Sequence, residues 1–184
     1  AGRRIFVYAG NMGLAQQMDK LLGLAVAMRE RTDIGFLFVG RGSEAPRLRH
    51  AAIEQGLANT LFYDEIAPEE IPALYRQCDA GLISLDSRHR THNIPGKFLT
   101  YMQAGLPVLA SINEGNDLAK LIEDSHVGRV SVDPTGRDLP ELAASMIEQD
   151  TGDEAMRARC RRLSEELFSA RTAVQQIARA VETP

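Results

Sequence analysis

Three polar segments hold the residues best suited to gripping an anion, and each one follows an apolar run of strand length. The first is Gly10-Asn11-Met12-Gly13. Its two glycines allow close backbone approach to a ligand, and a helix start behind them would offer free N–H groups and a positive dipole end. It matches neither G-x-G-x-x-G nor a P-loop, so a tight strand-to-helix turn explains it equally well. The second is the stretch 87–97, which gathers Arg88, Arg90, Lys97, His89 and His92 into an otherwise acidic chain and runs into a helix at Gly96. Cations and helix-terminal amides together suit a diphosphate. A solvated loop with incidental charge is the competing reading. His89 and His92 would need a third ligand to hold a metal, and none is evident in the sequence, so no metal is expected. The third is 111–117, where Asn116 could face sugar hydroxyls or phosphate oxygens, or where Asn116 or Asp117 could simply cap a helix.

No Ser-His-Asp order and no activated-cysteine setting is visible. Cys78, placed on a helix beside Tyr75, reads as core, and His50 and His126 read as surface or helix-end residues. Tyr101 and Met102 read as packing residues or as the floor of a site.

The elements that must position these segments alternate regularly. Apolar runs at 5–9, 35–39, 60–63, 80–85, 107–110 and 128–132 are separated by patterns of helical period, the signature of βαβ units and a parallel sheet. Leu14, Met18, Leu21, Leu22, Ala25 and Met28 share one helical face. Ser43 is placed to cap a helix running to Gly56, Pro68 opens another, and Pro95 stands at the first position of a helix over 96–104 that ends at Gly105. Helices over 117–124 and 138–149 follow. Met156, Cys160, Leu163 and Leu167 then share a face, and Val174, Ile177 and Val181 mark a last helix. The expectation is one domain over 1–184. Its core is a doubly wound, mostly parallel α/β (Rossmann-like) sheet of about six strands over 4–133, with helices over 134–184.

With 44% hydrophobic and 25% charged residues, the 184-residue chain can build one compact core. A net charge of −4 argues against a general nucleic-acid binder. No apolar run approaches the roughly 20 residues that span a bilayer. Two distant cysteines give no disulfide framework, which suits a reducing cytoplasm. The chain opens without Met and almost directly on a strand, so it is expected to be half of a longer protein.

Four segments together resemble the C-terminal, nucleotide-sugar-binding half of a retaining glycosyltransferase of family 4, with the GT-B architecture. They are YAGNMG with its helix, FLFVGRGSEAPRL, FYDEIAPEEIPALYRQCDAGLISL, and HNIPGKFLTYMQAGLPVLAS. The resemblance covers roughly 4–150 and is greatest to the subgroup that builds bacterial surface polysaccharides, including L-fucosamine transferases. It implies a UDP-sugar donor held here, an acceptor domain in a missing N-terminal half, no cofactor and no metal. It also implies a lipid-linked saccharide acceptor, at the inner membrane face of the cytoplasm.

On that resemblance Gly10, Asn11, Gly13, Gly96 and Lys97 surround the diphosphate and Arg88 closes over it. Thr100 faces the ribose, while His92, Asn93 and Asn116 face the sugar. The base lies near Glu65-Ile66, read mainly by backbone. Two glutamates common in the family are His92 and Thr100 here, and Asn11 and Gln17 stand where a basic pair is often found. A non-catalytic nucleotide-binding α/β module and a nucleotide-sugar epimerase of the same architecture are the alternatives.

Overall fold

Strands buried on both faces read as continuous apolar runs, because helices cover each side of a parallel sheet. The computed structural model, which describes residues 2–86, 94–149 and 154–168, has six strands, the inner four of them of this kind. The six are β1 (Arg4–Ala9), β2 (Ile34–Val39), β3 (Thr60–Tyr63), β4 (Ala80–Ser84), β5 (Val108–Ser111) and β6 (Gly128–Ser131). All five pairings are parallel and the order is β3-β2-β1-β4-β5-β6. The chain therefore runs outward from β1 in one direction, then returns to β1's other side. That reversal opens a crevice beyond the carboxyl ends of β1 and β4, where ligands of such sheets bind. The expected doubly wound α/β fold is confirmed.

Helices α1 (Met18–Ala27), α2 (Ala45–Glu54) and α6 (Leu139–Gln149) cover one face. There Phe6, Tyr8, Phe36, Phe38 and Leu82 pack with Leu21, Leu48 and Met146. Helices α3 (Ile71–Tyr75), α4 (Gly96–Ala104), α5 (Asp117–Asp124) and α7 (Glu154–Phe168) cover the other. There Val7, Ile83 and Val108 meet Phe98, Ile122 and Cys160. Each such aliphatic or aromatic side chain contributes about 1.5–3 kcal/mol by leaving water.

Five local expectations are corrected. The helix placed directly after Gly13 is broken: Leu14–Gln16 is a 3-10 turn, and Gln17 takes a left-handed conformation (φ 41°, ψ 51°) before α1 begins. Leu14 accordingly leaves the core face and is 73% exposed. Ser43 caps nothing; Glu44 is the N-cap of α2, without a side-chain cap, and its N–H donates to the Met12 carbonyl at 3.0 Å. Pro95 is the N-cap of α4, one position before the helix. Leu167 is 47% exposed, in a last turn of α7 where Glu165 and Glu166 are exposed too, whereas Met156, Cys160 and Leu163 bury as expected. Cys78 is core as expected, though just past the end of α3, and burial pushes its thiol up to about 12. The helix expected around Val174, Ile177 and Val181 lies outside the described residues.

One glycine fixes how α4 meets the sheet. A Cβ at Gly81 would lie 2.7 Å from the Tyr101 ring. Tyr101 is fully buried, and its hydroxyl sits 3.2 Å from both the Val7 and Leu82 carbonyls, so the ring has nowhere to go. Gly81→Ala is expected to cost ~1–3 kcal/mol by overpacking. Urea unfolding measures it, and an unchanged midpoint would show that the ring yields.

Candidate functional site

Lys97 and the Gly10–Gly13 turn come from opposite sides of the switch point and meet. Lys97 lies in the first turn of α4, after β4, and the turn follows β1. The Nζ atom sits 3.8 Å from where a Cβ at Gly10 would be, and 3.5 Å from the centroid of the Tyr8 ring. Gly10 has φ +135°, a conformation that favours glycine, and its N–H donates to the Val39 carbonyl at 2.9 Å.

The neighbouring turn after β2 supports this one. A Cβ at Gly40 would fall 2.1 Å from the Gly10 carbonyl oxygen, and one at Gly42 would fall 2.4 Å from that of Met12. Only glycine lets the two turns lie this close. The Met12 N–H donates to the Arg41 carbonyl at 2.8 Å, and the Tyr8 hydroxyl donates to the Asn11 carbonyl at 2.6 Å. The Asn11 N–H makes no hydrogen bond among the described residues. Gly40 and Gly42 are the residues that sequence reasoning passed over. Their signal was the G-x-G spacing at a strand end.

A hollow of about 400 Å³ opens between Gly10, Asn11, Gly40, Arg41, Glu65 and Ile66. It brings together the expected diphosphate turn and the expected base position. A larger hollow, about 700 Å³, lies beyond it towards α2. Its cations are matched by carboxylates: Arg41 with Glu65 at 3.1 Å, Arg49 with Asp64 at 2.9 Å, and His50 with Glu54 at 3.2 Å when the imidazole is protonated.

Lys97 differs. It is half-buried, and no carboxylate among the described residues pairs with it. Burial pushes its ammonium down to about 7, from an ordinary 10.5. A desolvated cation without a counter-charge is costly to keep, and it suits a place where an anion binds. The start of α4 adds to this. Pro95 offers no side-chain cap, and a Cβ at Gly96 would meet nothing within 4 Å. The first amides of this nine-residue helix therefore lie beside the ammonium with no side-chain cap among the described residues.

The other expected residues fall as follows. Thr100 is exposed one turn along from Lys97, and its hydroxyl donates to the Lys97 carbonyl at 2.9 Å. The Gly13 N–H is taken by Gln16 Oε1 at 3.1 Å. Gln17 packs inward: its carbonyl accepts from Ser84 Oγ at 3.4 Å, and its Oε1 is buried without a hydrogen-bond partner among the described residues. Gln16, not Gln17, is the amide that reaches the turn. Asn116 is 3% exposed and caps α5, its Oδ1 accepting the Leu118 N–H at 2.9 Å, so its side chain does not face a ligand. Arg88, His92 and Asn93 lie outside the described residues, as does the histidine pair considered for a metal.

The family described as "Glycosyl transferases group 1" matches residues 3–149. The chain belongs to the glycosyl transferases group 1 family. Among curated members, "Probable glycosyltransferase WbjE" of Pseudomonas aeruginosa is 24% identical over 127 residues, 69% of this chain and 32% of WbjE. Two solved structures share the fold. HepE of Anabaena, crystallised with UDP, superposes at a TM-score of 0.81 with 17% identity over 100% of this chain and 50% of its own. WaaG, a glycosyltransferase involved in lipopolysaccharide biosynthesis, superposes at 0.74 with 18% identity over 99% and 47%. The chain thus spans about a third of the curated relatives and about half of each solved chain. Among the described residues of this group 1 domain, no helix is long and apolar enough to cross a membrane.

Proposed function

We propose that this domain binds a UDP-sugar as the donor-holding half of a retaining glycosyltransferase of surface polysaccharide biosynthesis. The observation that carries the reading is the Lys97 ammonium above the Gly10 turn, an ammonium with which no carboxylate among the described residues pairs. In this reading Gly10, Asn11, Gly13, Gly96 and Lys97 enclose the diphosphate, and Arg88 closes over it. The base lies against Ile66 and Thr100 faces the ribose. His92 and Asn93 face the sugar, for which the sequence resemblance suggests an N-acetylated 6-deoxyhexose such as L-fucosamine. UDP as the nucleotude is supported by the UDP complex of HepE, a protein of the same fold.

The chemistry assigned to this half is electrostatic. When the bond from the sugar to the diphosphate breaks, negative charge grows on the leaving oxygens. The ammonium and the α4 amides are already oriented towards that charge and need no reorganisation. The acceptor, a lipid-linked saccharide at the cytoplasmic membrane face, would be held by an N-terminal domain outside this chain. Acid and base groups would come from there as well. Because half a cleft excludes water poorly, this chain alone should bind donor weakly and turn over nothing.

A thermal-shift panel of UDP, GDP, ATP, NAD and UDP-sugars tests the reading. A shift with UDP and UDP-sugars but not with ATP or NAD is expected. A response to NAD or ATP alone would overturn it.

A further inference from the structure

Tyr8 is fully buried in β1, and the hydrophobic core requires only its ring. A buried phenol needs a hydrogen-bond partner. Here the hydroxyl reaches out of the sheet and donates to the Asn11 carbonyl at 2.6 Å. The same peptide unit is held from its other end by the Met12 N–H donating to Arg41. With both ends fixed, the Asn11 N–H is left as the amide that the turn presents. The ring's other role is towards Lys97, whose Nζ lies 3.5 Å above its centroid. An aromatic face attracts an ammonium without neutralising it, whereas a carboxylate in that place would cancel the charge offered to a phosphate.

We propose that Tyr8 is a positioning residue of the diphosphate site, setting the turn through its hydroxyl and seating the Lys97 ammonium on its ring. The proposal rests on the donor reading above and adds to it the part that holds both phosphate-binding elements in one geometry.

The surroundings permit a clean test. Among the described residues, the ionisable groups packed around this point are the phenols of Tyr8, Tyr75 and Tyr101, each of which burial raises above its ordinary value. Among these described groups Lys97 is the only ammonium, and lysine labelling reads it apart from every histidine. The chain has three lysines, Lys20, Lys97 and Lys120, so each Cε signal can be assigned in a lysine-labelled sample.

The experiment compares wild type, Tyr8→Phe and Tyr8→Leu. Lysine NMR titration without ligand reads the seat, and calorimetry with UDP and with inorganic pyrophosphate reads the turn. Circular dichroism confirms that each variant is folded at the working temperature. Tyr8→Phe keeps the ring, so the Lys97 midpoint should stay in place while affinity for both ligands falls by about 5–20-fold, the size of one lost hydrogen bond in the site. In Tyr8→Leu the charged form loses its aromatic partner, so the midpoint should fall by about half a unit or more. Unchanged affinity in Tyr8→Phe, or an unmoved or raised midpoint in Tyr8→Leu, overturns the role of Tyr8 while leaving the donor reading intact. A wild-type protein that binds neither UDP nor pyrophosphate overturns the donor reading, and this proposal with it.

Discussion

Replacing Lys97 with alanine should weaken UDP binding by roughly 10–100-fold, the worth of a charge-assisted contact in a desolvated site, while leaving the fold intact. The side chain makes no ion pair among the described residues, and Phe98 and Tyr101, not Lys97, anchor α4 to the core. Stability should in fact rise. Burial of the ammonium opposes folding, and removing it should add about 1–3 kcal/mol at neutral pH.

The pH dependence gives this prediction a sign. In the unfolded chain Lys97 titrates near 10.5, and in the folded chain near 7. Between those values the unfolded state holds more protons, so this residue makes the protein more stable as pH rises from about 7 towards 10. Below pH 7 the penalty is present in full. Lys97→Met should abolish that rise, and the difference between wild type and variant in urea unfolding at pH 7 and pH 9 isolates it. Ligand reverses the effect: a bound diphosphate raises the lysine's pKa, so UDP binding near pH 8 should take up a proton. Calorimetry in buffers of different ionisation enthalpy detects this. The absence of proton uptake would mean that the ammonium does not meet the phosphates.

Gly40→Ala should damage both stability and binding. The new Cβ would fall 2.1 Å from the Gly10 carbonyl oxygen, in a residue already at φ +135°. Backbone strain and the clash together should cost ~3 kcal/mol or more. Because the atom displaced is the Gly10 carbonyl itself, UDP affinity should fall even at temperatures where the variant is folded. Gly96→Ala makes the contrast. A Cβ there meets nothing within 4 Å, and alanine favours a helix over glycine by up to ~1 kcal/mol. That variant should be as stable as wild type or more so, yet bind UDP less well because the methyl group enters the ligand's space. Melting temperatures and calorimetry on the pair separate the two cases. Equal binding by Gly96→Ala would place the diphosphate away from the start of α4.

The inner strands were legible because they are buried on both faces and so read as unbroken apolar runs, such as Phe36-Leu37-Phe38-Val39; edge strand β3 keeps an apolar run although Leu61 and Tyr63 are exposed. Helix patterns were legible where the buried face is regular, as at Phe98, Tyr101 and Met102. They misled at Leu14 and Leu167, whose spacing fits the core face but whose side chains lie in solvent. Nothing local marks the left-handed turn at Gln17 that starts the divergence at Leu14. The meeting of Lys97 with Gly10 could be anticipated from strand order in doubly wound sheets. The ring beneath the ammonium could not, because Tyr8 serves equally well as an ordinary strand residue and its second role exists only once α4 has packed. Asn116 showed the reverse error: its type suits both capping and ligand binding, and burial decides for the cap.

The central claim is that the ammonium of Lys97 and the amides around it are arranged for two phosphates. Calorimetric titration of the wild type with UDP and with UMP tests it most directly. UDP should bind at least about tenfold more tightly than UMP, since one further charged contact is worth upwards of ~1.4 kcal/mol, and the preference should vanish in Lys97→Ala. Equal affinity for the two nucleotides in the wild type, or a preference that survives the substitution, would contradict the account.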